Sequence, residues 1–229
     1  MDVSLRRVRK TSRTPERIDE NMPANVLWRH PKKRHAQTPL VLLLHGRGAD
    51  EHDLIDIADR LPPHFAFASV RAPVALREGG YTWFESRGVA QPISRSLSES
   101  VVALRDWLGE VGTSDYHGPV VLLGFSAGMM MAGALLLDEP TAFAGAVLLS
   151  GALAFDTAME TAPERLVGVP VFYGSGLLDN VIPPALVART SAYLRERSGA
   201  SLTVREYPIG HSIFNPELDD IAAWLAEIV

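Results

Sequence analysis

A serine flanked by glycines at a fixed spacing is the first group in this sequence that could do chemistry. The segment Gly124-Phe125-Ser126-Ala127-Gly128 follows an apolar run, 120–123, and precedes a helix-forming run, 129–137. Between a buried strand and a helix, G-x-S-x-G forms a sharp turn, since the serine takes strained backbone angles and the glycines leave room for it. The pattern predicts that Ser126 is a nucleophile. The alternative is an ordinary strand–helix turn in which the serine caps the helix.

A serine hydroxyl needs a base within hydrogen-bonding distance and a carboxylate that orients the base. In folds with this turn, the acid and then the histidine follow the serine along the chain. His211 is the one histidine after Ser126, and it lies in a glycine-containing loop after the last predicted strand. Most downstream acidic residues fall on predicted helices or within strands. Asp179, in the loop directly after the predicted strand 169–173, is the preferred acid, and Asp156, after the preceding strand, is its rival.

The negative oxygen that develops during acyl transfer needs two backbone N–H donors. One comes from the residue after the nucleophile, here Ala127, and the other from the loop after an earlier strand, here residues 45–48. Within that loop we expect Arg47 to be the donor, because the glycines on either side let the backbone turn inward. His45 precedes the serine, so we expect it to brace this loop by hydrogen bonding rather than to act as the base.

Residues 74–95 are the least regular part of the sequence and include two tandem glycines and three aromatic residues. Loops of this kind commonly line a binding surface, although Trp83 and Phe84 could also close the end of the core. We expect Trp83, Phe84 and Met129 to line an open apolar site beside Ser126. Such a site favours short or medium acyl chains.

The elements that must position these groups alternate along the chain. With 229 residues and 47% hydrophobic residues, the sequence is large and apolar enough for one α/β domain. Short links between alternating strands and helices predict a mostly parallel, twisted sheet with helices on both faces and no inserted lid domain. The predicted strands are 25–29, 40–44, 65–70, 120–123, 143–149, 169–173 and 201–207, and the predicted helices are 51–60, 96–110, 129–137, 185–197 and 216–229.

Charge is distributed unevenly. Residues 1–34 contain ten basic and four acidic residues, a net charge of +6, whereas the remaining 12 basic and 23 acidic residues give −11. An acidic body argues against a nucleic-acid partner, because phosphate contacts need a basic face. We expect residues 1–21 to be a disordered basic arm and residues 22–229 to form the domain. Alternatively, the arm contacts an anionic membrane or nucleic acid, or Met22 is the true start.

The sequence gives no indication of a cofactor. It has no cysteine, which excludes disulfides, a thiolate nucleophile and cysteine-based zinc sites, and no two histidines have the i, i+4 spacing of a metal pair. We therefore expect neither a metal nor a cofactor. No apolar run is long enough to span a bilayer, and the first residues lack the apolar core of a signal peptide. The prediction is a cytoplasmic protein without stable membrane insertion.

Six motifs in order make the sequence resemble the phospholipase/carboxylesterase family of α/β hydrolases, which includes acyl-protein thioesterases and small bacterial carboxylesterases. The resemblance runs from about residue 39 to the C-terminus. The motifs are Leu44-His-Gly-Arg-Gly-Ala-Asp50, Arg71-Ala-Pro73, Tyr81-Thr-Trp-Phe-Glu85, Gly124-Phe-Ser-Ala-Gly128, Gly176-Leu-Leu-Asp-Asn-Val-Ile-Pro183 and Gly210-His211.

The resemblance implies that Ser126, Asp179 and His211 are the catalytic residues, that Arg47 and Ala127 are the oxyanion donors, and that Trp83 lies beside the acyl site. It also implies a fold without a lid and often a homodimer. Family members commonly have glutamine where this chain has Ala127, and small residues where it has Met129 and Met130. The resemblance therefore does not extend to a lipidated-protein substrate.

The resulting hypothesis is a serine carboxylesterase that hydrolyses short- to medium-chain acyl esters of small molecules through an acyl-enzyme. Two alternatives stay open. One is thioesterase, lysophospholipase or peptidase activity with the same residues, since leaving-group preference depends on pocket shape. The other is a hydrolase fold that binds a ligand without catalysis.

Overall fold

A seven-stranded sheet, largely parallel, forms the centre of the molecule. The computed structural model describes residues 25–114, 116–157 and 161–229, so the predicted basic arm, residues 1–21, lies outside the described residues. The strand order is β1-β3-β2-β6-β7-β8-β9, and within it only β1 is antiparallel to its neighbour. The strands are β1 (Val26–Arg29), β2 (Leu40–Leu44), β3 (Ala66–Val70), β6 (Val120–Phe125), β7 (Gly145–Leu149), β8 (Pro170–Gly176) and β9 (Ser201–Tyr207), and a separate antiparallel pair comprises β4 (Val74–Ala75) and β5 (Tyr81–Thr82).

Helices cover both faces of this sheet, as the sequence predicts. Leu40, Leu42 and Leu44 of β2 pack in one apolar cluster with three helices, whereas Val41 and Leu43 pack on the opposite face with the fourth. This alternation follows from the two-residue period of a strand, and burial on both faces explains why β2 has no polar residue. The helices are α1 (Ser94–Ser114), α2 (Ala127–Asp138), α3 (Pro184–Glu196) and α4 (Asn215–Ile228).

The fold class predicted from the sequence is therefore confirmed: one α/β domain with a mostly parallel sheet between layers of helices. In the described residues, no helix combines the length and the apolar character that crossing a membrane requires.

The predicted helix 51–60 is wrong in type. Residues 51–54 form turns, and a 3₁₀ helix, Ile55–Arg60, follows. Two contacts hold the first residues in turns: Asp50 accepts hydrogen bonds from the backbone of His52 and Asp53, and the Glu51 carboxylate binds the Arg71 guanidinium. Leu54, Ala58 and Leu61 of the predicted apolar face are nevertheless buried.

The parallel strands all point their carboxyl ends toward one edge of the sheet, where ligand sites of such folds lie. The loops after β2, β6, β7, β8 and β9 meet at this edge. They carry Arg47, Ser126, Ala152, Asp179 and His211 respectively. The topology therefore gathers residues that are up to 164 positions apart in the chain.

Candidate active site

Ser126 occupies a strained turn between β6 and α2. Its φ of 57° lies in the left-handed region, which side-chain-bearing residues rarely adopt, and its ψ is −116°. The two flanking glycines are sterically required. A Cβ at Gly124 would lie 2.2 Å from the Gly128 carbonyl oxygen, and a Cβ at Gly128 would lie 1.9 Å from that of Leu44.

Backbone hydrogen bonds hold the strained turn on both sides. The Ser126 N–H donates to the Leu149 carbonyl at 2.9 Å, and the Ser126 carbonyl accepts from the Met130 N–H at 3.2 Å. The hydroxyl makes no capping hydrogen bond to α2. Ser126 therefore does not cap the helix through its hydroxyl, contrary to the alternative interpretation. The hydroxyl is available for another partner.

That partner is His211, whose Nε2 lies 2.9 Å from the Ser126 hydroxyl oxygen. On the other side of the ring, Nδ1 lies 2.8 Å from Oδ2 of Asp179. A carboxylate can only accept, so Nδ1 carries the proton and Nε2 is left to accept the serine hydroxyl hydrogen. The three side chains form one hydrogen-bonded series, the arrangement expected from chain order. Phe125 packs on the ring, with a centroid separation of 5.0 Å.

The loops after β8 and β9 run side by side, and this brings Asp179 to His211. The Leu177 N–H donates to the Tyr207 carbonyl at 2.8 Å, and the Leu178 N–H to the Ile209 carbonyl at 2.9 Å. The approach is close, since a Cβ at Gly176 would lie 2.5 Å from the Ile209 and Gly210 carbonyl oxygens. The glycine is therefore needed for the pairing of the two loops.

Asp179 is held as a carboxylate. Burial raises its pKa, but hydrogen bonds from His211 and from the Val181 and Ile182 backbone N–H groups outweigh this effect, so the pKa is lower than usual. Only 7% of its side chain is exposed, against 17% for His211. This charged acceptor holds the imidazole through its Nδ1–H.

Asp156, the rival acid, lies elsewhere. Its side chain is 82% exposed and pairs with Arg189 at 3.0 Å. The structure therefore brings Asp179, and not Asp156, to His211.

The loop after β2 lies against the serine turn. A Cβ at Gly46 would be 3.5 Å from the Ser126 Cβ, and both Arg47 and Ala127 line the same cavity as Ser126. Ala127 is the first residue of α2, so its N–H has no partner within the helix and is free to face a ligand. The Arg47 guanidinium points away to Glu78, at 2.7 Å.

His45 braces this loop from beneath, as predicted from the sequence. It is fully buried, its Nδ1–H donates to the Gly46 carbonyl at 2.7 Å, and its Nε2 accepts from the Ala72 N–H at 3.0 Å. Because one ring nitrogen donates and the other accepts, the ring is neutral, and burial lowers its pKa accordingly. The loop is also tied to Tyr81, whose carbonyl accepts from Gly48 and whose N–H donates to Ala49.

A cavity of about 550 Å³ opens over Ser126. Apolar side chains dominate its wall, but two of the three predicted pocket residues do not contribute. Trp83 is fully buried below the surface and donates to the His45 carbonyl, and Met129 is fully buried against Gly151. Phe84 does line the cavity, together with Arg47, Thr82, Ser86, Arg87, Gly88, Val89, Ala90, Ser126, Ala127, Met130, Ala152, Val181, Ile182 and His211.

Sequence reasoning missed Met130 and the residues after Asp179. Met130 is one position beyond the predicted Met129, and no periodicity distinguishes the two, because α2 is apolar on all faces and buried almost throughout. Val181 and Ile182 could have been found from their positions two and three residues after Asp179, in the same loop. Their backbone N–H groups donate to its carboxylate, which keeps this part of the loop at the same edge of the sheet.

One group of potential metal ligands occurs in the described part of the chain: Asp50, Glu51 and His52. Glu51 is already bound through both oxygens by Arg71, at 2.5 and 2.6 Å. The group lies behind the loop 45–48 and has a structural role there, because Arg71 also donates to the Tyr81 hydroxyl at 3.2 Å.

Two known proteins are similar to this chain over most of its length. MhqD of Bacillus subtilis (strain 168) is 28% identical over 205 residues, which are 88% of this chain and 99% of that protein. Acyl-protein thioesterase 1 of Cryptococcus neoformans is 24% identical over 237 residues, covering 90% of this chain and 99% of its own.

Among solved structures, the carboxylesterase of Bacillus cereus superposes with a TM-score of 0.77 at 25% identity, covering 89% of this chain and 94% of that one. The carboxylesterase of Mesorhizobium loti gives 0.71 at 26% identity, covering 82% and 88%. The family model described as phospholipase/carboxylesterase matches residues 29–229. The chain therefore belongs to the phospholipase/carboxylesterase family of α/β-hydrolase enzymes.

Proposed function

We propose that this protein is a serine carboxylesterase that hydrolyses short- to medium-chain acyl esters of small molecules. The observation that carries the proposal is the hydrogen-bonded series from the Ser126 hydroxyl through His211 to Asp179, with links of 2.9 and 2.8 Å. A serine in this series is activated as a nucleophile, because the imidazole can take its proton as the oxygen attacks.

The first half of the reaction forms an acyl-enzyme. Ser126 Oγ attacks the ester carbonyl carbon, and its proton moves to His211 Nε2. The carboxylate of Asp179 stabilises the imidazolium that results. When the tetrahedral intermediate collapses, the carbon–oxygen bond to the alcohol breaks and His211 returns the proton to the leaving oxygen.

The oxyanion of the intermediate is assigned to the backbone N–H groups of Ala127 and Arg47. Two observations support this assignment. Both residues lie on the cavity wall beside Ser126, and the first N–H of α2 has no partner within the helix. Each such donor is worth roughly 3–4 kcal/mol of transition-state stabilisation.

The second half consumes water. His211 takes a proton from the water as its oxygen attacks the acyl carbon, and the same donors hold the second oxyanion. Collapse breaks the bond between the acyl carbon and Ser126 Oγ, which takes the proton back. The carboxylic acid then leaves and the site is restored.

The substrate size follows from the cavity. A volume of about 550 Å³ bounded by Phe84, Met130, Ala152 and Ile182 holds a small ester with a short or medium acyl chain. Thioesters fit the same chemistry, and one relative is named an acyl-protein thioesterase. Matched oxygen and sulfur esters would separate these activities. The cytoplasmic location and the homodimer stay predictions.

The test is Ser126→Ala assayed with 4-nitrophenyl butyrate. Turnover should fall by about 10⁴- to 10⁶-fold, because without the serine oxygen no acyl-enzyme forms. Ser201→Ala, at the exposed start of β9, is the matched control and should keep full activity. A fluorophosphonate should add mass to the wild-type protein at Ser126 alone.

Near-wild-type turnover in Ser126→Ala would sink the proposal. A folded wild-type protein that neither turns over esters nor reacts with the fluorophosphonate would favour the non-catalytic alternative.

A further inference from the structure

The cavity over Ser126 has a positive wall in an acidic protein. The chain has a formal net charge of −5, yet the described residues that line the cavity include two arginines and no aspartate or glutamate. Of these arginines, Arg47 is neutralised by Glu78 at 2.7 Å. The unbalanced charge is therefore that of Arg87.

Arg87 differs in this from most arginines on the described surface. Within the described ranges of the chain, no carboxylate lies within ion-pair distance of its guanidinium. Most other surface arginines have an acidic partner, as in the pairs Arg60–Asp219, Arg95–Glu99 and Arg189–Asp156. A cation on a cavity wall without a protein partner is free to bind a ligand anion.

An ordered turn fixes the position of this cation. The Arg87 N–H donates to the Gln91 carbonyl at 3.0 Å, and the Gln91 N–H donates to the Gly88 carbonyl at 3.2 Å. Ser86 and Pro92 form an antiparallel bridge at the base of the turn. The backbone at residue 87 is thus held at the cavity wall, and its side chain is exposed.

The rest of the wall is largely apolar, with Phe84, Val89, Met130 and Val181 among its residues, and this restricts the kind of anion. Because Arg47 is paired with Glu78, the described residues of the wall offer no second unpaired arginine to share a strongly charged group such as a phosphate dianion. A guanidinium matches a carboxylate in shape and charge, because its two parallel N–H groups can donate to both oxygens.

We propose that Arg87 binds a carboxylate on the substrate, so that the enzyme prefers esters carrying a carboxylate, such as half-esters of dicarboxylic acids, over neutral esters of similar length. This inference rests on the proposed function, since it names the substrate class of the same site. Arg87 acts in it as a specificity-determining residue and takes no part in the chemical steps.

The test compares kcat/KM for two substrates, the mono-4-nitrophenyl ester of adipic acid and 4-nitrophenyl hexanoate. The measured quantity is the ratio of the two values within each variant. Comparing this ratio between variants cancels the difference in intrinsic reactivity of the two esters. A second pair, 4-carboxyphenyl hexanoate and its methyl ester at the ring carboxylate, places the charge on the alcohol half. The pair that responds shows which half of the substrate faces Arg87.

Arg87→Gln should lower the anionic-to-neutral ratio by about two- to fivefold in one of the pairs, as expected for one charge-assisted contact at an exposed side chain. Arg87→Lys should retain part of the preference, because it keeps the charge and loses the planar fork. Arg77→Gln is the control: it removes the same charge from an exposed position of the same loop region that does not line the cavity. It should leave both ratios unchanged.

Equal ratios in wild type and Arg87→Gln for both pairs would overturn the inference, as would an equal fall in Arg77→Gln, which would indicate general electrostatics. The two proposals fail separately. If Ser126→Ala abolishes turnover of every ester while Arg87→Gln leaves the ratios unchanged, the esterase stands and the preference for carboxylates does not. If Ser126→Ala stays active, the proposed function itself is wrong.

Discussion

The close approach of Gly128 to β2 allows a quantitative test of the serine turn. A Cβ built on Gly128 would lie 1.9 Å from the Leu44 carbonyl oxygen and 2.5 Å from its carbon. Side-chain Cβ atoms essentially never come within 3.0 Å of another heavy atom, so Gly128→Ala must separate the two backbones by about 1 Å. Leu44 pairs with strands on both sides in the sheet centre, so the displacement falls on the start of α2.

That displacement moves the groups proposed for chemistry. Ser126 and the Ala127 N–H lie within two residues of position 128, and a misplacement of about 1 Å at a reacting centre lowers rates by about 10²-fold. We therefore expect kcat/KM for 4-nitrophenyl butyrate to fall at least 10²-fold in Gly128→Ala. Overpacking should also reduce the free energy of unfolding by about 1–3 kcal/mol.

Gly109→Ala is the matched control, because the same methyl group is added within a helix. Gly109 lies on the exposed side of α1, and a Cβ there has no heavy atom within 4 Å. This variant should keep full activity and gain about 0.5–1 kcal/mol of stability, since alanine favours the helix. Urea unfolding and circular dichroism measure stability and fold alongside the assay. A folded Gly128→Ala protein with wild-type kcat/KM would refute the steric account of the turn.

Two further predictions concern titratable groups. Asp179→Asn should lower kcat for 4-nitrophenyl butyrate by about 10⁴-fold with little change in fold, because an amide at this position no longer stabilises the imidazolium of His211. A loss below tenfold would show that Asp179 is not the acid of the site. Glu217 is fully buried, and within the described residues its carboxyl oxygens have no hydrogen-bond partner. Burial raises its pKa to about 7, an effect that the backbone N–H of Phe214 opposes. Since the unfolded carboxyl titrates near 4.5, the folded state binds the extra proton between these values, and stability should fall by up to about 3 kcal/mol from pH 4.5 to pH 7. Glu217→Gln should abolish that fall in urea unfolding measured at pH 5 and pH 8, and parallel pH curves for variant and wild type would contradict this attribution.

The backbone of the site was predictable because its causes are local in sequence. The turn at Ser126 needs glycine on both sides for steric reasons, and β2 is apolar at every position because both of its faces are buried. His211 could be chosen by elimination, since chain order left one histidine. Pairing of His211 with Asp179 was an inference from strand order alone, and the distances now support it.

The parts that sequence reasoning missed depend on contacts between distant residues. The segment 51–60 has helical spacing, but Glu51 is bound by Arg71, 20 positions away, and no local pattern predicts that pair. Which residues of α2 line the cavity depends on the rotation of this helix about its axis. Because α2 is apolar on every face, its sequence does not indicate that rotation. Trp83 and Phe84 are adjacent and similar in kind, so only the fold decides which one reaches the cavity.

The strain at Ser126 ties the position of the proposed nucleophile to the integrity of the sheet. The left-handed conformation of this residue persists because the Leu149 carbonyl on β7 and the first turn of α2 fix both of its peptide groups. The partner loops are fixed in the same way, through close backbone contacts at Gly176. By contrast, the side chains of Arg87, Val89 and Val181 are exposed at the cavity wall, and the backbone hydrogen bonds that hold the serine turn do not involve them. Substitutions at these rim positions can therefore change which esters the enzyme accepts while the reacting groups keep their geometry.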